Sequence, residues 1–202
     1  MTTASPSFHL ASASPRRREI LTGLGLRFSF AGVDLDESRQ DHESVEGMVV
    51  RLARDKATAG HSPDNAQLPV LGADTVVVLG DHVFGKPSGA QDALDMLAAL
   101  SGRRHRVLTA VALRQRDRIA VSLSDTVVRF RDISPDEARH YWHSGEPADK
   151  AGSYAIQGLG GTFVASISGS YSGVVGLPVF ETVQLLDNAG IRVLAALEQH
   201  DY

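Results

Sequence analysis

The apolar positions of the chain change period along its length, and the changes mark out alternating strands and helices. Phe8 to Ser12 is a short apolar run expected as a buried strand. Ser14-Pro15 follows in the order of a helix cap and a first helical residue, predicting a helix to about Gly23 or Gly25. Leu26 to Val33 alternates around Phe28 and Phe30 like a half-buried strand, and the acidic segment Asp34, Asp36, Glu37 ends it. A second helix is predicted from Ser44 to about Ala59. Val70 to Leu79, rich in β-branched residues, reads as a buried strand that turns through Gly80-Asp81 into a short return at His82 to Phe84. After Gly85-Lys86-Pro87, Ala93, Leu94, Leu97 and Leu100 fall on one face of a helix from Ala90 to Leu100, stopped by Ser101-Gly102.

The second half continues the alternation. Val107 to Leu113 and Ile119 to Phe130 are expected as a longer antiparallel pair, and Ser134 and Glu137 are spaced as a capping box for a helix to about His143. A glycine-rich stretch from Gly152 to Gly161 leads to an expected strand at Thr162 to Ile167. Gly169 to Gly176 is expected as loop, and Leu177-Pro178 as the start of a last amphipathic helix through Leu186. No internal repeat, heptad or low-complexity linker interrupts the pattern, so residues 1–202 are expected to form one mixed α/β domain, with 1–7 as a frayed end.

Composition narrows the class. With 43% hydrophobic and 22% charged residues, the 202-residue chain can bury a sizeable core. Cysteine is absent, which removes thiol nucleophiles and thiolate zinc sites and leaves a reducing compartment, the cytoplasm, as the default. The polar start has neither the basic region nor the apolar run of a signal peptide. No apolar stretch approaches the ~20 residues that cross a bilayer, so no membrane partner is expected. A net charge of −4 argues against a nucleic-acid partner, because counterion release needs a broad basic surface.

Against that background, several ionisable residues stand in awkward places. Ser12, Ser14, Arg16 and Arg17 lie where a helix begins, and free backbone N–H groups there favour an anion; arginine adds two-pronged donation to phosphate. A capped surface helix with solvated arginines would have the same residues, and Arg18 is expected simply to face solvent. Lys56 is the next position on the apolar stripe Val45, Val49, Leu52, so it must either snorkel out along its stem or meet an anion. Asp74 interrupts an apolar strand, at a cost of several kcal/mol unless it is paired, hydrogen-bonded or bound to metal. Glu37 would supply a second carboxylate, and two carboxylates with water and phosphate oxygens suit magnesium, although a loop glutamate is also commonly just solvated. Lys86, in a stiff Gly-Lys-Pro segment, could be aimed at a phosphate as a point charge. The amide of Gln157, in a glycine-rich loop, could read a pyrimidine edge. Walker and dinucleotide-binding spacings are missing, and His140 and His143 lack a third zinc ligand. Ser12 and Ser14 have no evident His-Asp pair that would make either a nucleophile.

Eight segments, SASPRRREIL, DLDES, RLARDKA, GADTVV, GKP, LSGRRHRV, KAGSYAIQGLGG and GSYSGVVGLP, occur in the order found in the Maf family of nucleotide pyrophosphatases, once called septum formation proteins, and the chain resembles that family over essentially its whole length. The resemblance implies an α/β enzyme with a mixed twisted sheet flanked by helices, two lobes around a central cleft, related in fold to the inosine triphosphate pyrophosphatases. It implies hydrolysis of a nucleoside triphosphate to the monophosphate and pyrophosphate with a divalent metal (Mg2+, Mn2+ or Co2+). It puts Asp74 at the general-base position, Lys56, Lys86 and Glu37 at further catalytic positions, Glu37 and Asp74 on the metal, and Ser12, Ser14, Arg16, Arg17, Thr75 and Gln157 on substrate. SPRR, GADT and IQG resemble the members acting on dTTP and UTP, whereas SPWR, GSDQ and SEG mark relatives preferring 7-methyl-GTP. Modified pyrimidine nucleotides are a further substrate class within the same expectation. The family also suggests a homodimer, although no surface stripe demands one. Two other readings compete: a regulator of septum formation that binds nucleotide or protein without turnover, and a purine or 7-methyl-GTP pyrophosphatase.

Overall fold

A computed structural model describes residues 5–193. Its strands are β1 (Phe8–Ala11), β2 (Phe28–Ala31), β3 (Val70–Leu79), β4 (His82–Phe84), β5 (Arg104–Gln115), β6 (Arg118–Phe130) and β7 (Val164–Ser168). The helices are α1 (Pro15–Gly23), α2 (Val45–Ala59), α3 (Ala90–Leu100), α4 (Pro135–His143), α5 (Tyr171–Val175) and α6 (Val179–Asn188). One mixed sheet runs in the order β2-β1-β3-β5-β6-β7, with β4 paired to β3. The β1 pairings with β2 and β3 are parallel, and the β3–β4 and β6–β7 pairings antiparallel. No described helix is long and apolar enough to cross a membrane.

The chain divides into two compact units, each with its own apolar core. The first takes in the chain up to Asp74, Ala110–Leu123 and the chain from Gly176; the second takes in Thr75–Thr109 and Ser124–Val175. In the first unit Phe8, Leu10, Leu21, Leu71, Val111, Leu177 and Leu186 form the core. Helix α2 buries Val45, Val49, Leu52, Ala53, Lys56 and Ala57 along one face. That face reaches β3 because residue 72 is glycine: a Cβ there would run into the Ala53 carbonyl oxygen and the Ala57 amide. The close approach of helix to strand sets the side chain of Lys56 against that of Asp74.

In the second unit, Phe84, Leu97, Leu100, Val128, Phe130, Tyr141, Tyr154 and Phe163 pack together. His105 is 2% exposed, sits edge-on to Phe130 and Tyr154, and shares a hydrogen bond of 2.9 Å between its Nε2 and the Tyr154 hydroxyl. Burial pushes its imidazole down to about 4. The unfolded chain therefore holds more protons between pH 6.5 and about 4, and the stability His105 contributes is complete above pH 6.5 and lost as pH falls through that window. This contribution is roughly 3 kcal/mol. Melting curves from pH 7 to 4 are expected to show a steeper loss of stability in the native protein than in His105→Phe; parallel curves would remove this group from the acid response.

Several boundaries differ from the sequence expectation: β5 starts three residues earlier and ends two later than Val107 to Leu113, α6 starts at Val179, and three further differences have a visible cause. Strand β2 is shorter than Leu26 to Val33, since the Leu26 amide donates to the Leu21 carbonyl and so closes the end of α1. The strand expected at Thr162 to Ile167 begins at Val164, because Leu159–Phe163 is drawn into a 3-10 turn in which the Thr162 hydroxyl donates to the Leu159 carbonyl. The stretch expected as loop from Gly169 to Gly176 contains α5. The Ser170 hydroxyl accepts from the Gly173 amide and starts that helical turn as an N-cap does.

Candidate active site

The first unit gathers an ion-pair cluster around Lys56. Its position on the stripe of α2 makes it 8% exposed, and it does not snorkel: its Nζ donates to Glu37 Oε1 at 2.6 Å and to Asp74 Oδ1 at 2.7 Å. Asp74, 5% exposed in the middle of β3, is thus partnered by a cation arriving from a helix. Glu37 reaches the same ammonium from the exposed segment after β2.

Arg17 joins them electrostatically. Burial pushes its guanidinium down, the charges of Asp74 and Glu37 pull it up, and Arg16 pushes it down. Its Nε donates to the Gly176 carbonyl at 2.9 Å and its Nη1 to Ser12 Oγ at 3.1 Å, which aims the planar group from the first turn of α1. The buried Ser12 hydroxyl also accepts from the Ser14 amide at 3.2 Å. Ser14 is the N-cap of α1 as expected, but its own side chain makes no capping bond. Arg18 departs from the expected solvent-facing role: its guanidinium lies 4.4 Å from the centroid of the Phe30 ring.

Thr75, Lys86 and Gln157 belong to the second unit. The half-buried Thr75 hydroxyl bonds with that of Thr109 at 3.0 Å, and Thr109 bonds in turn with the Gly173 carbonyl at 2.8 Å. Lys86 and Gln157 are exposed. Their segments are tied together within the unit, since the Gly152 amide at the start of the glycine-rich loop donates to the Gly85 carbonyl at 3.1 Å. The structure therefore brings Ser12, Arg17, Glu37, Lys56 and Asp74 into one cluster, and holds Lys86 and Gln157 on joined loops.

A Maf-like protein family model matches residues 7–189. The chain belongs to the Maf family. Among similar proteins, the dTTP/UTP pyrophosphatase of Hahella chejuensis is 52% identical over 186 residues, covering 91% of this chain and 92% of the relative. That of Methylococcus capsulatus is 52% identical over 189 residues, with 92% and 94% covered. That of Shigella sonnei is 51% identical over 182 residues, with 90% and 92% covered. Among solved structures, the Staphylococcus aureus Ham1 protein superposes with a TM-score of 0.41 at 12% identity, covering 61% of this chain and 71% of that one.

The Maf cluster has the donors for a hard divalent cation, but not in a ready-made cage. Among the described residues no three His, Asp or Glu side chains gather to hold a metal ion. Two carboxylate oxygens, from Glu37 and Asp74, do converge on one cationic centre, the Lys56 ammonium. Magnesium-like ions bind through one or two carboxylates and complete their shell with water and substrate phosphate, so this donor set fits such an ion. Sequence reasoning found every member of the cluster. It missed the Gly176 carbonyl that orients Arg17, since a backbone acceptor 159 residues away leaves no trace in side-chain pattern.

Proposed function

We propose that this Maf protein hydrolyses dTTP and UTP, and modified pyrimidine nucleotides of the same shape, to the nucleoside monophosphate and pyrophosphate. The observation that carries the reading is the buried Lys56–Asp74 pair with Glu37 and Arg17 around it, in a chain about half identical to relatives named dTTP/UTP pyrophosphatases. Pure binding needs no polarised water, so a carboxylate buried inside a strand at a desolvation cost counts against a protein that only binds nucleotide.

In this reading Arg16, Arg17, Ser12 and Ser14 bind the phosphates at the start of α1, where backbone N–H groups and guanidiniums favour an anion. Lys86 offers a point charge suited to a phosphate. Asp74 orients the attacking water, or takes its proton, as bond formation begins at the α-phosphorus. Lys56 pairs with Asp74 and offsets negative charge as the bridging oxygen departs. Glu37 and Asp74 would hold a divalent cation, which when bound spreads the charge on the leaving pyrophosphate. Thr75 and Gln157 contribute to substrate selection, with the Gln157 amide matching the donor and acceptor edge of thymine or uracil.

Purified protein with magnesium, manganese or cobalt should release pyrophosphate and the monophosphate from dTTP and UTP. The specificity constant for these is expected to exceed those for ATP, GTP and 7-methyl-GTP by at least about tenfold, the worth of one well-made hydrogen bond to the base. Release of orthophosphate, or a preference for purines, would overturn the assignment.

A further inference from the structure

The loop that carries Gln157 is held by two side chains, Tyr141 and Glu146. Tyr141, on α4, buries its ring edge-on to Phe163 and donates its hydroxyl to Glu146 Oε1 at 2.7 Å. The same hydroxyl accepts from the Ala155 amide at 3.0 Å. Glu146 then accepts the Leu159 amide on Oε2 and the Gly160 amide on Oε1, each at 2.9 Å. Gln157 is exposed midway between these anchors, with Ala155 fixed before it and Leu159 and Gly160 fixed after it.

Two glycines make the clasp possible. A Cβ on residue 158 would collide with the Glu146 carboxylate, and one on residue 160 would lie 2.6 Å from the Tyr141 hydroxyl. Burial pushes the Glu146 carboxyl up, but the Tyr141 hydroxyl, the Gly160 and Leu159 amides and Lys150 together bring it below its ordinary value, so at neutral pH it is a charged acceptor. Burial and the Glu146 carboxylate push the Tyr141 hydroxyl up, which keeps its proton available for donation. The three hydrogen bonds to the Glu146 carboxylate are charge-assisted, and such bonds are short and directional. A reading group has to be held within about half an ångström of its productive place, and this clasp supplies that constraint on the exposed tip of the loop, residues 157–159.

We infer that Glu146 and Tyr141 are positioning residues for base selection, setting the loop so that Gln157 is presented to the pyrimidine. The inference rests on the pyrimidine-triphosphatase reading above, with Gln157 on the base.

The test compares kcat and KM for dTTP and ATP in native protein, Gln157→Ala, Glu146→Gln and the double variant. Native protein should prefer dTTP, and Gln157→Ala should erase most of that preference. Glu146→Gln is expected to raise KM for dTTP by about tenfold, with the larger part of the loss in KM rather than kcat. Its dTTP-to-ATP specificity ratio should fall to near that of Gln157→Ala. Adding Glu146→Gln to Gln157→Ala should lower the ratio no further, because both act through one contact.

A merely structural glutamate would lower turnover of both nucleotides equally and leave the ratio alone; that result, with Gln157→Ala behaving as expected, overturns the inference while the function stands. Native protein without preference for dTTP, or Gln157→Ala without effect, would instead remove the reading beneath it and the inference with it. Should Glu146→Gln fail to fold, Tyr141→Phe keeps the ring in the core and removes only the hydroxyl. It is expected to show the same drop in ratio in smaller degree, and an unchanged ratio there overturns the inference.

Discussion

Asp74→Asn is expected to lower kcat for dTTP by a factor between about 10² and 10⁴ while KM moves only a few-fold, the range in which a positioned acid or base works. The substitution keeps shape and one oxygen acceptor and removes charge. Its neighbours make the prediction specific. Lys56 Nζ sits 2.7 Å from Asp74 Oδ1, and Glu37 is within 2.6 Å of the same ammonium, so Lys56 keeps one carboxylate partner in the variant. The fold around the pair is set by Gly72 and the buried face of α2, which the change leaves untouched. Loss of turnover would then report chemistry rather than unfolding, and a melting curve on the same sample checks this. Equal turnover in Asp74→Asn would take the carboxylate out of the mechanism.

Lys56→Ala should cost both stability and activity. Removing one partner of a buried ion pair leaves the other uncompensated, typically at about 3–5 kcal/mol. Asp74 is 5% exposed and has no route to bulk water comparable to that of Glu37, whose side chain is 55% exposed. Arg17 still attracts Asp74 at longer range, which places the loss toward the lower end of that range. For a chain of this size that corresponds to a melting point lowered by roughly 6–12 °C. Specificity for dTTP should fall as well, because the charge on the leaving oxygens loses its neutralising ammonium.

The double variant Lys56→Met/Asp74→Leu separates the two effects. Replacing a buried pair by apolar groups of similar volume is commonly neutral for stability, so its melting point should recover while activity stays low. If Lys56→Ala melts and turns over like the native protein, the pair does neither job.

Much of this was legible from the chain alone where local chemistry and period agree. The stripe Val45, Val49, Leu52 placed Lys56 on the inward face of α2, and the run of apolar residues around Asp74 placed a carboxylate inside a strand. Either residue alone had a bland explanation. Snorkelling would have served for Lys56, and backbone N–H donors for Asp74. Pattern along a chain cannot choose between them, because the choice depends on what lies opposite, 18 residues away in sequence. The same limit explains α5, where Ser170 caps a single short turn whose glycine-rich sequence reads as loop. It bears on the turn before β7 too, since beside the local Thr162–Leu159 bond the Leu159 amide donates to a glutamate 13 residues earlier.

Most of the strands and helices, the inward faces of α2 and α3 and the set of charged residues in costly places follow from the sequence, because period, caps and turn residues act within a few positions of one another. That Lys56 joins Glu37 to Asp74, that the Gly176 carbonyl and Ser12 aim Arg17, and that Glu146 with Tyr141 holds the Gln157 loop were decided only by the fold. Each of these depends on a distance between groups far apart in the chain, and such distances are set when β3 accepts α2 over Gly72 and when the glycines at 158 and 160 let a loop close on a carboxylate.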